Sequence, residues 1–406
     1  VTRYHAEDER DEGAWLADEV SRLHRNYDWG DIAVFYRTNA QSRAIEEELV
    51  RRDVPYKVVG GTRFYDRREI KDLLAYLRAI ANPADEVSLK RIVNVPKRGV
   101  GDTSIGRLDR WARDHQTTFE DALSHAEEAG VTGKALTGIS RLQDLLGSLR
   151  ADARPPASLL ETVLDRTGYL QEIRAERSIE AAGREENIEE LIGAARDVDD
   201  LNEFLEQVSL VADVDEVEPD ASQVMLMTLH TAKGLEYPVV FLVGMEDGVF
   251  PHLRSLGDPD ELEEERRLAY VGITRARERL YVSHAWCRSL WGQTQYNQPS
   301  QFLKEIPEHL QAVVESRRGA TDRLSELSGK DRIVEAALRR GKTGPVQGHG
   351  AEALGLRVGE TVVHAKWGEG TVLDLRGEGE RAEATVRFPS VGEKQLALAL
   401  APLKRG

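Results

Sequence analysis

The feature that most constrains this chain is a pair of short apolar segments, Val224–Met227 and Pro238–Val243, joined by a polar turn. Each segment is a few residues long and bounded by turn formers, which reads as a buried strand. A strand that breaks into a turn carrying Thr228, His230, Lys233, Gly234 and Glu236 sets polar groups at the carboxyl end of a sheet. That is where α/β folds bind ligands. The same rhythm occurs upstream. Val1–His5 reads as a short strand, Asp11–His24 as an amphipathic helix, and Asp31–Tyr36 as a compact strand. Ala40–Arg52 reads as a helix, and Tyr56–Val59 as a strand closed by Gly60 and Gly61. Such alternation implies an α/β fold with a parallel sheet and right-handed crossovers. Downstream, an acidic turn at Gly257–Glu265, a helix at Leu262–Ile273 and a strand at Arg279–His284 complete the domain, with one further helix expected over Phe302–Val314.

The pattern is interrupted. From Glu86 to Val211 no strand pattern occurs, and helices are expected near Ser88–Val93, Ser104–Asp114, Phe119–Glu128, Lys134–Leu149, Ala157–Thr167, Ser178–Asp197 and Leu201–Leu210. At 406 residues the chain exceeds one ordinary core. The organisation expected is an α/β domain over 1–85 and 222–315, with a helical domain over 86–221 inserted into it. A charge- and glycine-rich linker follows over 316–355, and a small β-barrel over 356–406. The single cysteine, Cys287, excludes an internal disulfide and suits a reducing cytoplasm. No apolar run approaches 18 residues, so no membrane span is expected. A net charge of -16 argues weakly against nucleic acid, because a DNA groove needs local cations rather than a basic protein. A phosphate-cradling GxxxxGK[ST] loop is absent; Gly341-Lys342-Thr343 follows a helical stretch, with Ala336 at the first glycine position.

Three clusters carry chemistry. Arg37, Asn39, Gln41 and Arg43 gather at a strand-to-helix junction. Helix capping and surface ion pairs would suit them, and so would holding phosphates without reading sequence. In Val95–Ser104, Lys97 and Arg98 precede Gly99 and Gly101, and Thr103 opens a helix. Free N–H groups beside cations form a phosphate-binding arrangement, and a plain turn with a helix cap has the same residues. Arg275, at the end of a helix, reads from the residues alone as an ion-pair partner for Glu263–Glu265.

At these residues a family resemblance enters. TLHTAKGLEYPVVFLVG (Thr228–Gly244) and RRLAYVGITRARERL (Arg266–Leu280) resemble motifs V and VI of the UvrD/PcrA/Rep DNA helicases of superfamily 1A. FYRTNAQSR (Phe35–Arg43) and FYDRREIKDLLAYLR (Phe64–Arg78) resemble that family's motif IV variants. Order and spacing agree over essentially the whole chain. The resemblance implies a RecA-like motor domain (2A), an inserted mobile helical domain (2B) and a Tudor/SH3-like tail. The chain would then be the C-terminal half of an ATP-dependent 3'-to-5' DNA helicase of repair and replication, the polarity coming from the resemblance alone. ATP and Mg2+ would bind only with an N-terminal half that carries the missing loop, and no residue spacing here suggests a metal site.

The resemblance also assigns roles. Arg275 would be the catalytic arginine finger, Glu236 would meet the ribose, and Lys233 with Gly234 would lie near the phosphates. Arg37, Asn39, Arg43, Thr228 and His230 would face the single strand. Lys97, Arg98, Gly99, Gly101 and Thr103 match the loop that grips duplex DNA at a junction, written here with Val100 for the family's Ile. The tail's HAKWGEGTV implies RNA polymerase binding through Lys366, Trp367 and Glu369, where a β cap without a partner is the plainer alternative. Two rival functions remain. One is a non-catalytic module that holds DNA and polymerase. The other is the helicase subunit of a recombination nuclease, disfavoured because no nuclease-like acidic domain follows motif VI.

Overall fold

Seven strands scattered along the chain join one parallel sheet. The computed structural model describes residues 1–151, 154–212, 221–290, 293–316, 361–364, 368–376, 383–388, 392–397 and 403–405. The chain opens with β1 (Thr2–Ala6), α1 (Glu9–Leu23), β2 (Ile32–Tyr36), α2 (Ser42–Arg51), β3 (Tyr56–Val58) and α3 (Arg68–Ala81). A run of helices follows: α4 (Glu86–Ile92), α5 (Asp102–Asp114), α6 (Phe119–Ser124), α7 (Gly133–Arg150), α8 (Pro156–Thr167), α9 (Tyr169–Ala175), α10 (Ile179–Arg196) and α11 (Leu201–Ala212). The chain then returns through β4 (Val224–Thr228), β5 (Tyr237–Leu242), α12 (Pro259–Ile273) and β6 (Ala276–Ala285). A hairpin, β7 (Arg288–Leu290) and β8 (Gln293–Gln295), and a last strand, β9 (Ala312–Glu315), end this unit. The sheet order is β3-β4-β2-β5-β6-β1-β9, every neighbouring pair parallel.

Alternation along the strands feeds two cores. Val34, Tyr36 and Phe241 point to one face, where Leu16, Val20 and Leu23 of α1 and Leu49 of α2 cover them. Ala33, Phe35 and Val240 point to the other, beneath Ala269 of α12 and Phe302. Burying each large side chain of this kind stabilises by about 1.5–3 kcal/mol. The helical block has its own core. It extends upstream of residue 86, taking in Phe64, Tyr65 and the apolar face of α3.

Several local expectations need correction. Phe302–Val314 is not a helix: Pro307 removes a backbone donor, short 3-10 turns occupy Gln301–Glu305 and Glu308–Leu310, and Ala312–Glu315 pairs with β1. The acidic stretch Gly257–Glu265 is mostly helix, because Asp258 caps α12 by accepting from the N–H groups of Asp260 and Glu261, and Pro259 starts it. The short helix α9 lacked a strong periodic signal. The connector at 213–220, most of the linker and the helical patch at 331–340 lie outside the described residues.

The second unit, Leu324–Gly406, contains an antiparallel sheet. Its strands are β10 (Thr361–His364), β11 (Gly368–Arg376), β12 (Glu383–Phe388), β13 (Gly392–Ala397) and β14 (Leu403–Arg405), in the order β13-β12-β11-β10-β14. Val362, Ala384 and Val386 are buried in it. Among the described residues, no helix is long and apolar enough to cross a membrane.

Candidate functional site

The polar turn, expected as one cluster at the carboxyl end of the sheet, is divided between its two edges. Thr228 ends β4 in register with Tyr36 of β2, so Arg37 and Thr228 leave the sheet side by side at its carboxyl edge. Leu229 N–H donates to the Tyr36 carbonyl at 2.9 Å and holds the two exits together. His230 is exposed beside them, and partial burial and then the Arg37 charge lower its pKa, which favours the neutral ring. Gln41 Oε1 accepts from the N–H groups of Arg37 and Thr38, both at 2.9 Å, which shapes the loop and leaves Asn39 exposed. The Arg37 guanidinium pairs with Glu265 of α12 at 2.7 Å.

Arg43, expected at the single strand, is not at this surface. It is 3% exposed, and its guanidinium donates to Glu47 at 2.9 Å and to Glu190 of α10 at 2.8 Å. Burial works against its charge, yet the two carboxylates hold its pKa above the ordinary range, while burial raises that of Glu190. Arg43 therefore fastens the helical block to α2. A neighbouring polar bridge, Arg67 to Asn187 at 2.7 Å and Asn187 to Glu69 at 2.7 Å, does the same for α10.

The rest of the turn reaches the opposite edge. With no helix to carry it, the chain passes from the carboxyl end of β4 to the amino end of β5, exposing Lys233, Gly234 and Glu236 on the way. Gly234 has φ +87°, and a Cβ there would meet nothing within 4 Å. α12 makes a parallel journey, starting after the loops at the carboxyl edge and ending before β6. There Arg275 donates to the Leu235 carbonyl at 3.2 Å and to the Val271 carbonyl at 3.1 Å, and its own carbonyl accepts from Tyr237 N–H at 3.0 Å. The carboxylates that could have claimed Arg275 are engaged elsewhere: Glu263 with Arg266, Glu264 with Arg267, and Glu265 with Arg37. Among the described residues none pairs with Arg275.

A separate basic face lies on the helical block. Gly99 has φ +80°, and α5 starts at Gly101 without a side-chain cap, leaving Thr103 exposed at an open helix start. Lys97 is exposed there. The Arg98 side chain is turned into the loop: its guanidinium donates to the carbonyls of Ile92 and Val95, both at 2.8 Å, and to the Tyr76 hydroxyl. It frames the loop instead. Lys134, Thr137 and Arg141 of α7 line the same open cleft, of about 1010 Å³. Among the described residues neither Lys134 nor Arg141 pairs with a carboxylate. Sequence reasoning missed these two, although their spacing puts them on one exposed helix face.

It also missed a buried cluster near β7, where Arg288 pairs with Glu12 and Glu246. Glu12 further accepts from Gly244 N–H at 3.0 Å and Ser283 at 2.7 Å. In the tail, Lys366 and Trp367 lie outside the described residues, and Glu369 belongs to β11 opposite Val363.

Comparison with known proteins identifies the family. The family model "UvrD-like helicase C-terminal domain" matches residues 1–286, and "PcrA/UvrD tudor domain" matches residues 358–405. The ATP-dependent DNA helicase PcrA of Bacillus subtilis (strain 168) is 41% identical over 429 residues, covering 100% of this chain and 57% of its own length. The ATP-dependent DNA helicase UvrD1 of Mycobacterium tuberculosis (strain ATCC 25618 / H37Rv) is 43% identical, covering 100% of this chain and 56% of its own. PcrA of Staphylococcus aureus (strain Mu50 / ATCC 700699) is 39% identical over 99% of this chain and 56% of its own. The chain thus spans a little over half the length of the curated relatives it matches.

Proposed function

The chain belongs to the UvrD-like helicase C-terminal domain family, and from that premise we propose that it is the strand-gripping half of an ATP-dependent 3'-to-5' DNA helicase of repair and replication, working in the cytoplasm. The observation that carries this reading is the division of polar groups between two edges of one sheet, with the Leu229–Glu236 connection and α12 both running between them. Arg37, Asn39, Thr228 and His230 at the carboxyl edge take the single-strand backbone; Lys233, Gly234, Glu236 and Arg275 at the amino edge take the nucleotide. Arg43 leaves the strand set because it is buried.

At the amino edge, Glu236 accepts from ribose hydroxyls and the Lys233 ammonium attracts phosphate oxygens. Arg275, held by carbonyls rather than by a carboxylate, keeps its charge for the transferred phosphoryl group. Donation to carbonyl oxygens orients a guanidinium without neutralising it, which is the state an arginine finger needs. ATP and Mg2+ are proposed to bind with an N-terminal half that carries the phosphate-cradling loop, the Mg2+ offsetting phosphate charge there. On the helical block, Lys97, Lys134 and the open α5 start at Gly101–Thr103 hold duplex phosphates beside the junction. The tail is proposed to bind RNA polymerase through Lys366, Trp367 and Glu369.

The test is Arg275→Ala in the complete enzyme. We expect kcat for ATP to fall by about 10³-fold or more, with single-strand affinity nearly unchanged. Turnover that survives would move the finger to exposed Arg277. A complete protein that binds DNA yet never hydrolyses ATP would favour the non-catalytic module.

A further inference from the structure

Arg37 does not stand at the sheet edge with an open guanidinium. Its Nε donates to both carboxylate oxygens of Glu265, at 2.8 and 3.0 Å, and its Nη2 donates to Oε1 at 2.7 Å. This bidentate geometry is the one by which arginine takes a phosphate. The Glu265 side chain is held in turn by the His252 backbone N–H at 3.0 Å, and the residue is 5% exposed. The Arg37 side chain is 21% exposed, so a phosphodiester arriving beside Asn39 and His230 meets a guanidinium already claimed by a carboxylate.

We propose that Glu265 is a positioning residue that stands in for a DNA phosphate. It keeps Arg37 oriented when no strand is bound and yields the guanidinium when a phosphodiester takes its place. The inference rests on reading Arg37 as a strand contact. After the exchange, Glu265 is a nearly buried carboxylate left with the His252 N–H and no cation. A poorly solvated charge in that state is costly, so the helix that bears it must shift to relieve it. That helix is α12, whose far end leads into Arg275. Strand occupancy is therefore handed to the arginine finger by one continuous element, a two-state contact that both sites bias.

The experiment is Glu265→Gln, which keeps the shape and removes the charge, compared with Arg37→Gln and with the double variant. The probe is fluorescently labelled oligo-dT, titrated into the full 406-residue chain. Removing a competing ion pair of this strength should tighten oligo-dT binding by about fivefold in Glu265→Gln. Arg37→Gln should bind more weakly than the parent, and the double variant should match it, because the effect of Glu265 runs through Arg37. In the complete enzyme, Glu265→Gln should lower the factor by which oligo-dT stimulates ATP hydrolysis despite the tighter binding. General loss of structure gives no such opposite signs. Binding that is weaker or unchanged in Glu265→Gln would overturn the proposal. If Arg37→Gln binds as well as the parent, the reading beneath it fails instead, because Arg37 is then not on the strand. Should Glu265→Gln not fold, Glu265→Asp shortens the reach with the charge kept, and tighter binding is again the supporting result.

Discussion

His284 stacks on His5 between neighbouring strands, ring centroids 4.5 Å apart, and is 3% exposed with its Nδ1 unpartnered. Burial, followed by the nearby His5 and Arg3, lowers its pKa to about 3. The unfolded ring takes its proton near 6.5, so below that pH the unfolded state binds more protons and stability falls. From pH 7 to 5 this one ring should cost about 2 kcal/mol, a loss that His284→Gln removes. Urea unfolding of both proteins at the two pH values checks it, and equal losses would show that the ring is not the source. Gly138 is as exacting in space as His284 is in charge. A Cβ there would lie 2.6 Å from the Arg98 carbonyl oxygen, so Gly138→Ala should push α7 off the loop. We expect a loss of about 1–3 kcal/mol, seen as a lower Tm. Single residues were legible in the sequence where the local pattern decides their fate, as with exposed Lys97, Asn39 and His230. Arg43 was not, because what claims it is distant: Glu190 lies 147 positions away. Arg98 was not either, because the carbonyls of Ile92 and Val95 that hold it are backbone groups with no signal in the residue pattern.

At the scale of elements, the parallel strands and the long helices were readable because their periods differ. α9 and β9 were not. Seven residues hold too few turns to show a period, and Ala312–Glu315 is a strand only because β1 offers it an edge. The resemblance implied that one short loop would face nucleotide on one side and DNA on the other, but the sheet end that each half reaches was hidden for a related reason. A polar turn can be recognised in sequence, but which side of the sheet each half reaches depends on the length and course of the connection. The basic face of the helical block combines both kinds of signal, a local glycine loop and a distant helix. Reversing charge at Lys97 and Lys134 together should weaken binding to a duplex–tail junction by about tenfold or more and lower its salt dependence. Binding to a plain single strand should be spared, and equal loss on both substrates would deny the loop and α7 a duplex role. Arg98 is unsuited to this test, since it holds the loop together.

For the whole molecule, the sheet unit and the tail make separable expectations. Deleting 356–406 should leave ATPase and unwinding of the complete enzyme largely intact while abolishing co-purification with RNA polymerase. A truncated enzyme that still retains polymerase would move the contact elsewhere. The 406-residue chain by itself should hydrolyse no ATP, because its sequence has no loop to cradle phosphates. DNA-stimulated hydrolysis by the purified chain would overturn that assignment of labour. Under the proposed function, one feature of the sheet would keep the two activities in step. The Leu229–Glu236 connection covers the height of the sheet with no helix to take up length, and it turns sharply at Thr228–Thr231 along the way. Hydrogen bonds at two successive turns, from Thr231 N–H to the Thr228 carbonyl and from Leu235 N–H to the Ala232 carbonyl, set its length. Under the proposed function, lengthening it should let ATP be spent without advance along the strand.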